Sequence, residues 1–127
     1  MEKKEKYQTS YSVNEDILEI VLTGELIDGA LEGLQNKITD IIDANGAKNV
    51  LFDARAINGR ISITDSYTAV RLPHPDMGKR TTAVVDRPER AEIQSFLETT
   101  ALNAGWSHKW FTDIDKARAW LKASKKK

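Results

Sequence analysis

The chain has 127 residues, no cysteine, and 19 Lys and Arg side chains against 19 Asp and Glu. That length suits one domain with a self-supporting core, and the missing thiols exclude a Cys nucleophile, a thiolate zinc site, an iron–sulfur cluster and a disulfide framework. A net charge of zero removes the global basic field that dominates nucleic-acid affinity, so nucleic acid is not an expected partner.

Met1 to Lys6 carry mixed charge with no apolar run behind them, so no secretory signal is expected. No stretch approaches the roughly 20 apolar residues that span a bilayer, and cytoplasm is the default location. The domain is expected to fill 1–127, with its core over about 7–122 and a solvated basic tail at 123–127.

Residues 7–13 and 17–23 are rich in β-branched and aromatic side chains and flank the polar turn Asn14-Glu15-Asp16, which predicts a hairpin. Beyond Gly24 the period changes. Ile27, Leu31, Leu34, Ile38, Ile41 and Ile42 share a helical face, with Asp28 as N-cap and Asn45-Gly46 as the stop. The apolar run Asn49 to Asp53 reads as a buried parallel strand, followed by a loop containing Asn58-Gly59. Ile63, Tyr67 and Val70 predict a short helix that Pro73 ends. Thr81 to Asp86 is the next strand, and Pro88 opens a helix with the stripe Ile93, Phe96, Leu97, Thr100, Ala101 and Ala104, capped at Gly105. Trp106 to Thr112 is the last strand, and Asp113 caps a final helix with the stripe Ile114, Ala117, Trp120 and Leu121.

The order β-β-α-β-α-β-α-β-α implies an α/β domain with a mostly parallel five-stranded sheet, right-handed crossovers and helices packed on it. Such sheets present working residues at the carboxyl ends of their strands, here 53–64, 86–89 and 112–113.

This element order, with its long loop after the central strand, resembles the STAS domain of sporulation-type anti-sigma-factor antagonists, from about Tyr7 to Lys122. The closing segment Phe111-Thr112-Asp113 and Ala119-Trp120-Leu121 is similar to that of a looser SpoIIAA-like group. The resemblance implies a non-enzymatic bacterial regulatory module whose partner is a protein, a kinase or an anti-sigma-like regulator, with phosphorylation of a Ser at the start of the helix after the central strand controlling docking. The family's acceptor region reads Asp-Ser-Ser-Gly; here the nearest string is Asp65-Ser66-Tyr67-Thr68, which departs after two residues and follows a longer loop.

Ser62, Thr64 and Ser66 cluster where a helix N-terminus would favour a phosphate, and they are the phosphoacceptor candidates. The same string Ser62-Ile63-Thr64-Asp65 also reads as a capping box that needs no partner. Asp53, Arg55, Asn58 and Arg60, with Asp65 and Tyr67, form the expected partner-binding surface; the competing reading is an Asp53–Arg ion pair and turn chemistry at Asn58-Gly59. No nucleophile stands beside a base, so no enzyme activity is expected. Two distant histidines, His74 and His108, make no zinc site, and no cofactor is implied.

A second hypothesis groups Tyr67, Val70, Trp106, Trp110 and Phe111 as an apolar pocket closed by a lid over 61–78, making the chain a carrier or sensor of an apolar small molecule or lipid. Strand alternation puts Trp106, His108 and Trp110 on one half-exposed face. The plainer reading of these aromatics is core and dimer contact, which leaves a homodimer open.

Overall fold

The computed structural model describes residues 7–26, 30–59 and 80–125. Strands β1 (Tyr7–Asn14) and β2 (Ile17–Leu26) form the hairpin, followed by helix α1 (Ala30–Asn45), strands β3 (Asn49–Gly59) and β4 (Thr81–Val85), a 3₁₀ turn (Pro88–Arg90), helix α2 (Ala91–Asn103), strand β5 (Ser107–Phe111) and helix α3 (Ile114–Lys125). The sheet order is β1-β2-β3-β4-β5, with β1 antiparallel to β2 and every later pair parallel. The mostly parallel five-stranded α/β sheet expected from the sequence is what forms. The expected N-cap Asp28 and the helix after Ile63 lie outside the described residues.

The hairpin turns on two residues, since Asn14 pairs with Ile17, and Glu15 and Asp16 take φ of 51° and 66°. Two left-handed residues match the right-handed twist of the flanking strands, as a type I′ turn requires. Helices α1 and α2 end alike. Gly46 (φ 58°) and Gly105 (φ 84°) follow their last turns, and the next amides, of Ala47 and Trp106, reach back to the Ile42 and Ala101 carbonyls. These long closing bonds satisfy carbonyls that the helix end would leave bare, and glycine takes the positive φ without strain. At the last helix the expected cap forms: Asp113 Oδ1 accepts from the Asp115 N–H at 2.8 Å.

Strand alternation divides the core into two layers. Leu18, Ile20, Leu22, Val50, Ala54 and Ile57 bury against Leu34 and Ile42 of α1, whereas Ile17, Leu51, Ala83 and Val85 bury against Ala117 and Leu121 of α3. Helix α1 covers the first layer and α3 the second, and right-handed β2-α1-β3 and β4-α2-β5 crossovers put α2 on the side of the sheet that α1 occupies, over β5.

Two expectations are corrected. The central strand does not end at Asp53: β3 runs to Gly59 and pairs with β2 throughout. Val21 opposes Asp53 while Thr23 opposes Ala56, so Leu22 faces both Ala54 and Arg55 in a β-bulge. The bulge shifts the alternation by one, which is why Ala54 and Ile57, three apart, share one core layer. In α2 the expected stripe holds in part: Thr100 and Ala101 are buried and Ile93 and Leu97 half-buried, but Phe96 and Ala104 are exposed and Gln94 is buried instead. Gln94 turns inward because its amide bonds to a buried carboxylate, that of Asp86.

Candidate functional site

Strand β4 stops at Val85, opposite Asp53, and β3 continues six residues beyond it, paired on its β2 side only among the described residues. In place of a β4 neighbour, the Arg90 guanidinium donates to the Ala54 carbonyl at 3.2 Å and to the Ile57 carbonyl. Unpaired strand carbonyls are costly away from water, and a guanidinium offers several donors in a fixed fork. Arg90 is itself held by Asp86, whose Oδ1 lies 2.9 Å from Nη1. Asp86 is buried and also accepts from the Arg87 N–H at 2.8 Å and from Gln94 Nε2 at 2.7 Å. A carboxylate this enclosed persists as a charge only when paired and hydrogen-bonded, and here both oxygens are engaged.

The bulge aims Arg55 outward beside Asp53. The pair is bidentate, with Arg55 Nε to Asp53 Oδ1 at 2.9 Å and Nη2 to Oδ2 at 2.7 Å, and the Arg55 N–H adds a third bond at 3.2 Å. The guanidinium bonded to it holds the Asp53 carboxyl below its ordinary value against the opposing effect of burial. Arg55 is 44% exposed while Asp53 is 13% exposed, so the carboxylate serves as an internal brace and the guanidinium meets solvent. The fields of Arg118 and Asp113 on the α3 side reach this pair as well. Arg118 in turn clamps Glu19 of β2 with two bonds of 2.8 Å. The carboxyl ends of β3 and β4 and the start of α3 thus carry an ordered set of paired charges with Arg55 and Asn58 exposed.

Of the expected partner-binding residues, Asp53, Arg55 and Asn58 sit on β3, not in a loop. Arg60, Asp65 and Tyr67, the phosphoacceptor candidates Ser62, Thr64 and Ser66, and Val70 with the 61–78 lid lie outside the described residues, as does His74. Two of the expected pocket residues stand on opposite faces of the sheet. Trp110 pairs with Val84 on the α1 and α2 side, whereas the next residue, Phe111, lies on the α3 side against Trp120, with ring centroids 5.9 Å apart. Trp106, His108 and Trp110 do share a half-buried face, as alternation predicts. His108 has its Nε2 enclosed and without a hydrogen-bond partner, and burial pushes its imidazole down to about 4. A cleft of about 610 Å³ opens at the opposite, amino end of the strands, lined by Leu18, Asn45, Lys48, Asn49 and Thr81 among others, and among the described residues none of the expected site residues borders it.

The residues that sequence reading missed are Arg90, Gln94 and Arg118. Arg90 and Arg118 act across the fold on strands distant in sequence, whereas Gln94 acts on the nearby Asp86; the usable signal was the crowding of Arg87, Arg90 and Gln94 within one turn or two of Asp86.

No family model matches the chain, and no curated protein matches it. Solved structures do. An anti-sigma factor antagonist from Mycobacterium paratuberculosis superposes with a TM-score of 0.61 at 14% identity, over 91% of this chain and 94% of that one. A protein from Shewanella loihica described as having a SpoIIAA-like fold superposes with a TM-score of 0.58 at 17% identity, over 95% and 98%. The fold is the STAS or SpoIIAA-like fold. Both neighbours are bacterial and match over nearly their whole length, so the resemblance seen in the sequence holds for the architecture from the hairpin to the final helix. Among the described residues no helix is long and apolar enough to cross a membrane, and no group of three His, Asp or Glu gathers as metal ligands.

Proposed function

We propose that the chain is a non-enzymatic regulatory module that docks a protein partner at the carboxyl end of β3, with Arg55 and Asn58 at the surface and Asp53, Arg60, Asp65 and Tyr67 as further residues of the recognition set. The observation that carries this reading is the braced Arg55, which protrudes from a bulge on a SpoIIAA-like fold with its guanidinium fixed by Asp53. A charge held in one rotamer loses little entropy on meeting an acidic surface, and complementary charge at an interface sets specificity and encounter rate. The neighbour described as an anti-sigma factor antagonist supports a protein as the partner class.

In the phosphate-controlled form of this reading, the acceptor is Ser66, Ser62 or Thr64, and the added negative charge, opposite in sign to Arg55, changes docking. Affinity capture from the host with the wild-type chain, Arg55→Glu and Lys48→Glu tests the surface; Lys48 is exposed at the far end of the sheet. A partner retained by wild type and Lys48→Glu and lost by Arg55→Glu is the expected result, and equal retention by all three refutes the site. Intact mass of the host-purified chain tests the switch, since a phosphate mapping to none of the three residues, or none at all under inducing conditions, removes it.

A further inference from the structure

The two margins of the sheet are built differently. At one margin β5 is five residues long, carries Lys109, and has its Trp110 N–H taken by the Glu98 carboxylate of α2 at 3.2 Å. Short length, a lysine and a covering side chain are the usual ways of blunting a sheet edge. At the other margin β1 runs eight residues, Tyr-Gln-Thr-Ser-Tyr-Ser-Val-Asn, with no charge, no proline and no bulge in its pairing to β2. Nothing among the described residues lies along its outer side. Because the two-residue turn makes Asn14–Ile17 a hydrogen-bonded pair, Asn14, Ser12, Ser10 and Gln8 bond to β2, and Tyr7, Thr9, Tyr11 and Val13 direct their amides and carbonyls outward. Tyr11 and Val13, among these four, are 52% and 58% exposed.

We propose that β1 is a homodimer interface, in which β1 of a second copy adds antiparallel about a two-fold axis at Ser10 to make one continuous ten-stranded sheet. The occupant follows from the strand's own chemistry. A strand without charge meets its own copy with no like-charge repulsion, and a two-fold interface demands that one surface suit itself. Centred on Ser10, the register sets Tyr7 opposite Val13 and Thr9 opposite Tyr11 of the second copy, so every outward amide and carbonyl is used. Each exposed apolar side chain then gains an aromatic or β-branched neighbour on the same face. The opposite face carries Gln8, Ser10, Ser12 and Asn14, all uncharged and exposed. This interface lies at the sheet margin away from Arg55 and is independent of the docking reading.

The absence of native cysteine gives a register-specific test on the full chain. Ser10 of the two copies forms the non-hydrogen-bonded pair, with Cα atoms about 4.5 Å apart, inside the range a disulfide spans. Ser10→Cys is expected to cross-link to a covalent dimer under mild oxidation on the order of tenfold or more faster than Gln8→Cys, whose counterpart faces Ser12. Mixing Gln8→Cys with Ser12→Cys restores rapid linking. By sedimentation the wild type is a dimer, and Thr9→Pro is a folded monomer, since proline on an edge strand with its nitrogen facing outward leaves the β1–β2 bonds intact. If Thr9→Pro fails to fold, the cysteine rates still decide. A wild type that stays at single-chain mass at all concentrations, or Ser10→Cys linking no faster than Gln8→Cys, overturns the proposal.

Discussion

Acid should loosen this fold through His108 before it reaches any carboxylate with a shifted value. His108 pairs with Thr82 on the face that α2 covers, and its Nε2 is enclosed and unbonded. Burial is the cause that lowers its imidazole from 6.5 to about 4. On α2 the Glu98 carboxylate is held at the Trp110 N–H. The folded value lies below the unfolded one, so the unfolded chain takes up the proton first. The stability that the neutral imidazole confers is therefore complete above about pH 6.5 and falls progressively as pH drops toward 4.

The whole gap corresponds to about 3 kcal/mol, of which about 2 kcal/mol is lost between pH 7 and pH 5. Urea unfolding of the wild type and of His108→Leu at those two pH values measures it. The baseline of the leucine variant is immaterial, because the comparison is between the two pH-dependent losses; His74 and all surface groups are common to both proteins. Asp53, also lowered, titrates below 3.8 and stays outside the window. Wild type is expected to lose about 2 kcal/mol more than His108→Leu on going from pH 7 to 5. Equal losses would show that the imidazole is hydrated or paired in solution and would refute the argument.

Two further outcomes follow from the packing. Leu121 is fully buried between α3 and the sheet, so Leu121→Ala should cost about 2–5 kcal/mol in chemical denaturation, and a loss under 1 kcal/mol would mean that α3 does not rest on β3 and β4 as described. Arg118→Met leaves the buried Glu19 carboxylate without its two 2.8 Å bonds and should cost about 1–3 kcal/mol at neutral pH; a smaller loss in Glu19→Gln/Arg118→Met than the single changes add up to would confirm the coupling, and strict additivity would deny it.

The elements that could be read from sequence are those whose local signal and tertiary role agree. The hairpin, α1, β4 and α3 each pair a clean period with turn or cap residues, and their buried sets came out as the periods imply: Leu34 and Ile42 in α1, Ala117 and Leu121 in α3. The losses occur where a polar group is wanted inside. Gln94 reads as a surface residue by type, yet Asp86 bonds its amide and draws it inside, while Phe96 of the expected stripe reaches solvent. The continuation of β3 was hidden by the bulge, because Ala54 and Ile57 fit neither a strand's period of two nor a helix beginning at that point. His108 was placed on the right face by alternation, but no sequence rule gives the enclosure of its Nε2, which depends on the helix above it.

Stability and docking meet at Asp86. The projecting end of β3, where Arg55 sits, has lost β4 as a neighbour, and its carbonyls are held by Arg90 in β4's place. Arg90 keeps that position because Asp86 accepts from the same Nη1 that donates to Ala54, and Asp86 in turn is held by Gln94 and the Arg87 amide. Asp86→Ala therefore removes a brace from the interaction surface as well as a buried ion pair. A cost of about 3–5 kcal/mol is expected in urea unfolding, because Arg90 is left without its counter-charge. Asp86→Asn keeps the shape and one acceptor while removing the charge, and should fall between wild type and Asp86→Ala. If the Asp86→Asn chain is folded but holds its partner less well than wild type, with Arg55 intact, the β3 extension is positioned from Arg90. If Asp86→Ala unfolds at the same urea concentration as wild type, the network around Arg90 does not hold the strand end, and the bulge is sufficient to present Arg55.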